Sequence, residues 1–131
     1  MEQIFSKLKF ITKGEGLTDI TNDLNLFIQE NNFNSGILNL NSLHTSCSLT
    51  INENADPNVL RDLKKYMQSI VPYDSYLSLS KNRKEIFYKH YQEGADDMPA
   101  HIKTSLTNTS LSLSFQEGKI MLGTWQAVYL W

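Results

Sequence analysis

The residues that most constrain the fold lie late in the chain. From Ser110 to Gln116, Leu111, Leu113 and Phe115 alternate with serines, and Glu117-Gly118 follows at once. A period of two puts the three apolar side chains on one face of a strand. Glu117-Gly118 then turns the chain, and Lys119 to Trp131 reads as one long returning strand with aromatic residues. Strands joined by so short a turn run antiparallel, which points away from the strict strand–helix–strand alternation of a dinucleotide-binding domain.

Other segments fit around such a sheet. Ile4, Leu8 and Phe10 alternate from Gln3 to Thr12, a strand pattern. Gly14 and Gly16 bracket the first turn. Thr18 or Asp19 can then cap a helix whose apolar residues Ile20, Leu24, Phe27 and Ile28 recur at helical spacing to about Asn31. Strands are expected over Ser35–Leu43 and Ser48–Ile51. Asp56-Pro57 is a helix start, with an acceptor at the cap and a proline at the first helical position. The stripe Val59, Leu60, Leu63, Met67 and Ile70 follows, and Pro72 ends it. Arg61, Lys64 and Lys65 read as the solvated face of this helix. Residues 73–97 read as a loop with short strands near Tyr76–Leu79 and Glu85–Tyr91. Asp97 is expected to cap a short helix containing Ala100, His101, Ile102 and Leu106, with Asn108 left-handed at its end. The expected class is α+β. Residues 1–131 form a compact single domain with a mainly antiparallel, sandwich-like sheet core and about three helices.

The chain has 131 residues, an apolar fraction of 40%, and 12 Lys+Arg against 14 Asp+Glu. A domain of that length builds a core without staples. The net charge of −2 lacks the basic excess of a general nucleic-acid binder. The N-terminus shows no secretory pattern, and no apolar run is long enough for a membrane span. A cytoplasmic protein with no nucleic-acid or membrane partner is expected. The lone Cys47 excludes an internal disulfide framework. It reads as a small buried hydrophobe, since residues 44 and 47 of an extended strand face opposite ways and His44 cannot activate it there.

No glycine-rich phosphate loop, nucleophile elbow or H-E-x-x-H helix is present, so the chemistry rests on scattered residues. There are three histidines, His44, His90 and His101. His44-Thr45-Ser46 opens a polar stretch that runs through Asn52 and Asn54 to Asp56. Hydroxyls and amides there can fix a loop or hold an anion. Tyr88 to His101 packs two imidazoles with Glu93, Asp96 and Asp97. Asp97 and His101 are four apart and share a face if a helix begins at Asp97. Imidazole nitrogen and carboxylate oxygen suit a divalent metal. The same residues also read as a cap, a turn and an ordinary helix position. Trp125-Gln126, beside Gly123, can line a pocket or join a subunit contact.

Four blocks occur together: His44-Thr45-Ser46 through Leu49-Thr50-Ile51-Asn52-Glu53-Asn54-Ala55-Asp56-Pro57; Tyr88-x-His90-x-x-Glu93-Gly94; Asp97-x-x-Ala100-His101-Ile102-Lys103; and Gly118-x-x-x-Leu122-Gly123-Thr124-Trp125-Gln126. In this order they resemble the YjbQ-like family, also named secondary thiamine-phosphate synthase, over nearly the whole chain. The resemblance implies a compact α+β fold, assembly as a homotrimer and a histidine-lined pocket that can bind metal. It also implies a weak thiamine-phosphate synthase activity, in which a hydroxymethylpyrimidine diphosphate joins a thiazole phosphate and pyrophosphate leaves. Asn108 and Ala127 stand where that pattern usually has Gly. The pattern also continues into an acidic-then-arginine tail. This sequence stops at Trp131, so any anion contact from that arginine is expected to be absent.

On this reading His44, His90 and His101 are metal ligands for Zn or Mg, and His44, Glu93 and Asp97 are catalytic. Thr45, Ser46, Asn52, Asn54, Trp125 and Gln126 bind a small phosphorylated metabolite. Two alternatives use the same residues: a metal-dependent hydrolase, with Glu93 or Asp97 as base, and a non-enzymatic trimeric small-metabolite-binding protein.

Overall fold

A computed structural model describes residues 2–131. In chain order the elements are β1 (Thr18–Asp19), α1 (Thr21–Glu30), β2 (Ser35–Asn41), β3 (Leu49–Glu53), α2 (Pro57–Ile70), β4 (Ser75–Leu77), β5 (Glu85–Phe87), α3 (Asp97–Ser105), β6 (Ser110–Gln116), β7 (Lys119–Ile120) and β8 (Gln126–Leu130). The class is α+β with wholly antiparallel pairing. One sheet has the order β1-β8-β3, a second β2-β6-β7, and β4-β5 is a separate hairpin.

The alternating strand behaves as its spacing predicts. Leu113 and Phe115 of β6 are buried, Leu111 is half-buried, and Ser110, Ser112 and Ser114 are exposed. Glu117 and Gly118 both take positive φ, 53° and 72°, which closes the turn into β7. The core gathers Ile20, Leu24 and Ile28 with Leu49, Leu113, Phe115, Ile120 and Val128, so α1 packs against strands of both sheets. Leu24, Ile28 and Val128 are essentially without solvent contact.

The helix signals hold in part. At α1 the helix begins as its spacing predicts, but the cap position is Ile20 without a side-chain bond, not Thr18 or Asp19; Asp19, in β1, instead accepts the Thr21 amide at 2.9 Å. Asp56 caps α2 by accepting from the Asn58 amide at 2.8 Å, with Pro57 in the first turn.

Four further expectations are corrected. Residues 3–12 are not a strand: no backbone group there pairs with another strand among the described residues. Period two sets side-chain direction, but a strand also needs a neighbour to bond. Only Phe10 of this segment packs against the core, while Phe5 and Ile11 remain 88% and 89% exposed. Lys119–Trp131 is not one strand either. The turn at 123–126, closed by Gln126 N to Gly123 O at 3.0 Å and Gly123 N to Gln126 Oε1 at 2.7 Å, carries the chain from one sheet to the other. Asp97 is not the cap of α3 but its first residue, with Asp96 at the cap position. Asn108 is not left-handed; its carbonyl accepts the Leu49 amide at 2.7 Å, which fixes the end of α3 against the start of β3.

A carboxylate that the periodicity does not point to ties the helices together. Glu15, between Gly14 and Gly16, accepts from Lys103 Nζ of α3, from Gln68 Nε2 of α2 at 2.6 Å and from Tyr73 OH at 2.8 Å. Lys64, expected on a solvated face, donates to the Glu15 carbonyl at 2.8 Å. Burial would raise the Glu15 carboxyl, but the bonds from Lys103, Tyr73 and Gln68 outweigh it and hold the group below its ordinary value. No described helix is long and apolar enough to cross a membrane.

Candidate functional site

The site is assembled from two directions. The β4–β5 hairpin closes at its root, where the Tyr88 amide donates to the Asp74 carbonyl at 2.9 Å. The chain then delivers His90 into the loop before α3. Gly94, at φ 128°, turns that loop toward the helix. The first turn of α3 supplies Asp97, and His101 follows one turn later on the same face, as the spacing of four predicts.

Asp97 Oδ2 lies 2.6 Å from His90 Nε2 and 3.3 Å from His101 Nε2. The imidazole rings stand 5.4 Å apart, tilted by 51°. One ligand atom from each of His90, Asp97 and His101 falls within 4.8 Å of the others. In a tetrahedral zinc site with bonds of about 2.0–2.1 Å, ligand atoms stand about 3.3–3.4 Å apart. The Asp97–His101 separation already meets that value. The His90 side chain is 45% exposed and has room to withdraw from the carboxylate.

The tautomer of His101 tests whether a cation fits. Its Nδ1 lies 3.1 Å from the Thr45 carbonyl oxygen. A carbonyl only accepts, so Nδ1 carries the hydrogen, and in the neutral ring Nε2 has a lone pair. That lone pair faces the Asp97 carboxylate oxygen. Two electron-rich atoms in this arrangement need a proton or a metal ion between them. A backbone carbonyl that fixes one imidazole nitrogen and frees the other is also how proteins orient metal-binding histidines.

The same geometry argues against His101 as a base for Ser46. Ser46 Oγ is 3.5 Å from His101 Nδ1, an arrangement that superficially continues to Asp97. Because Nδ1–H is committed to Thr45, it cannot take a proton from the Ser46 hydroxyl.

The structure joins some of the sequence-derived residues and separates others. His90, Asp97 and His101 meet. Thr45 and Ser46 adjoin them through the contacts to His101. His44 turns back on its own loop, where its Nδ1 accepts the Ser46 amide at 3.1 Å. It borders the cluster through Ser46 and is not one of the three grouped ligands. Glu93 is exposed on the loop between His90 and α3. Cys47 is a half-buried free thiol.

The remaining residues lie at the far end of β3. Its start pairs with Trp131 through Ser48, and the Asn54 amide beyond its end bonds the Trp125 carbonyl at 3.0 Å. At roughly 3.3 Å per residue, the strand between them separates the two groups by well over 10 Å within one chain. There, Asn52 Oδ1 accepts the Glu53 amide and Gln126 Oε1 accepts the Gly123 amide, so both side chains shape the backbone. Trp125 is 65% exposed.

The chain matches the profile described as UPF0047 protein YjbQ-like over residues 6–131. A UPF0047 protein of Synechocystis is 40% identical over 124 residues, 95% of this chain and 78% of that protein. YjbQ of Escherichia coli O157:H7 is also 40% identical over 124 residues, covering 94% and 82% of the two chains. Among solved structures, a YjbQ/UPF0047-family protein of Clostridium acetobutylicum superposes with a TM-score of 0.70 at 32% identity, over 87% of this chain and 78% of that one.

Proposed function

The chain belongs to the UPF0047 YjbQ-like family, and we propose that it is a divalent-metal-dependent enzyme acting on a small phosphorylated metabolite. The observation that carries the proposal is the convergence of one ligand atom each from His90, Asp97 and His101, with His101 Nε2 3.3 Å from the Asp97 carboxylate and His101 Nδ1 turned to the Thr45 carbonyl. His90, Asp97 and His101 would hold zinc or magnesium, which when bound supplies positive charge to offset a leaving pyrophosphate.

The reaction we assign is a thiamine-phosphate synthase-like transfer, weak or secondary. Asp97 orients both imidazoles. The Thr45 carbonyl keeps His101 in the tautomer with a free Nε2. Since His44 Nδ1 accepts from a backbone amide, its neutral ring carries the proton on Nε2, where it can pass to a leaving group. The Ser46 hydroxyl and the Thr45 side chain, at the rim of the cluster, are suited to hydrogen-bond phosphate oxygens. Hydrolysis is the second reading. The exposure of His90 leaves the cluster open to water, and Glu93 stands on the adjoining loop as a candidate base. Assembly as a homotrimer belongs to the same proposal. Exposed Tyr66, Ile70, Leu77 and Phe87 give the surface apolar area of the kind that subunit contacts cover.

The test is metal content together with turnover. Stoichiometric zinc or magnesium, lost in His101→Ala and retained in Ser46→Ala, is the expected result. Pyrophosphate release that needs both hydroxymethylpyrimidine diphosphate and thiazole phosphate identifies the transferase, and turnover of a single substrate identifies the hydrolase. Protein that takes up neither metal on reconstitution refutes the proposal. Light scattering at the mass of a monomer refutes the trimer.

A further inference from the structure

The ligands of the candidate metal centre come from two elements that share no strand or helix. His90 follows the β4–β5 hairpin, whereas Asp97 and His101 ride on α3. Beyond the direct His90–Asp97 contact at 2.6 Å, one further carboxylate braces these elements against each other. Glu15 bonds α3 directly and bonds the residue at the foot of the hairpin. On one side it accepts from Tyr73 OH at 2.8 Å, and Tyr73 directly precedes Asp74, whose carbonyl closes the hairpin root against Tyr88. On the other it accepts from Lys103, two residues beyond His101 on α3. The Lys103 ammonium also lies 5.5 Å from the centroid of the Tyr73 ring, which brings the two anchors together directly. Glu15 is in turn held to α2, because Gln68 bonds its carboxylate at 2.6 Å and Lys64 its carbonyl at 2.8 Å.

We infer that Glu15 is a positioning residue for the His90–Asp97–His101 cluster, a single carboxylate that sets the hairpin and α3 at the separation the cluster needs. The inference rests on the metal reading proposed above. Glu15 touches neither metal nor substrate. Its effect passes along two paths, from Tyr73 across the Tyr88–Asp74 backbone bond at the hairpin root to His90, and from Lys103 back two residues to His101 and nearly two turns to Asp97. The carboxylate bonds a residue at the foot of the hairpin and one on α3, and its bond to Gln68 fixes it to α2.

The experiment compares Glu15→Gln and Tyr73→Phe with Asp56→Ala, a helix-cap variant that destabilises α2 without contact to Glu15. Zinc alone is the probe, and affinity is read by chelator competition. The imidazole ring resonances of His90 and His101 are recorded by NMR in metal-free protein. Zinc affinity is expected to fall in Glu15→Gln by up to about tenfold, the low end of what loss of a partner bonded directly to a metal ligand costs. A smaller fall is expected in Tyr73→Phe, and none in Asp56→Ala. The ring resonances of His90 and His101 should move in the first two variants and stay in place in the third. Unmoved resonances in both Glu15→Gln and Tyr73→Phe overturn the inference, as does an equal loss of zinc affinity in Asp56→Ala. Tyr73→Phe removes only one hydroxyl from a partly exposed side chain and serves if Glu15→Gln does not fold. Wild-type protein that binds no zinc defeats the metal reading, and the metal-free resonances then decide the positioning role by themselves.

Discussion

Replacing Glu15 by Gln should destabilise the fold in a pH-dependent way. The carboxylate accepts three side-chain donors from Lys103, Gln68 and Tyr73. Glutamine keeps one acceptor oxygen and turns an NH₂ toward a donor, so at least one bond to a charged group is lost. Such a bond contributes about 1.5–3 kcal/mol. The Glu15 side chain retains 21% exposure and Lys103 13%, so water recovers part of the loss. We expect about 2 kcal/mol at neutral pH, or a fall of roughly 6–10 °C in Tm for a domain of this size. The sign with pH follows from the ionised carboxylate being favoured in the folded state. Its contribution is complete above the ordinary value of 4.5 and disappears as pH falls through the lowered folded value. Urea unfolding of both proteins from neutral to acid pH should therefore show a constant gap that closes below about pH 4.5. A gap that persists unchanged well into acid, or no gap at neutral pH, would refute the reasoning.

Two further outcomes test the core and the helix start. Leu24→Ala empties a side chain that is 1% exposed, and equilibrium unfolding should show a loss of about 3–4 kcal/mol, at the upper end if the cavity does not collapse. Asp56→Ala leaves the Asn58 amide without its acceptor and should cost about 1 kcal/mol, measured as a lower urea midpoint at unchanged slope.

What could be read from the sequence follows the range of the forces involved. The start of α2 is legible because the Asp56 oxygen and Pro57 act within a few residues, and α1 because its apolar residues recur at helical spacing, although its cap falls at Ile20 and not at Thr18 or Asp19. So is the β6–β7 turn, where Glu117 and Gly118 act on their own backbone. The Asp97–His101 pairing was legible too, because helical geometry alone brings residues four apart together. Residues 3–12 were misread because alternation says nothing about whether a neighbouring strand exists. Lys119–Trp131 was misread because the change of sheet depends on the Gln126 side chain reaching back to Gly123. Asp97 looked like a cap until its carboxylate met two imidazoles, one of them from a different element. Glu15 carried only the local signal of flanking glycines. Its partners at positions 68, 73 and 103 are contacts that no spacing rule connects. The separation of Trp125 and Gln126 from the histidines is likewise a property of the β3–β8 ladder and not of either motif.

The position of β8 has a consequence for biosynthesis. It is the central strand of its sheet and the only strand to which β1 and β3 bond there, yet it is translated after both of them. During elongation the edge strand β1 and the apolar faces of β3 and α1 emerge from the ribosome before the strand that joins them. This sheet is therefore expected to close late, after α1 and α2 can form by local signals. The nascent chain would be most dependent on chaperones in the interval between the emergence of β3 and that of β8.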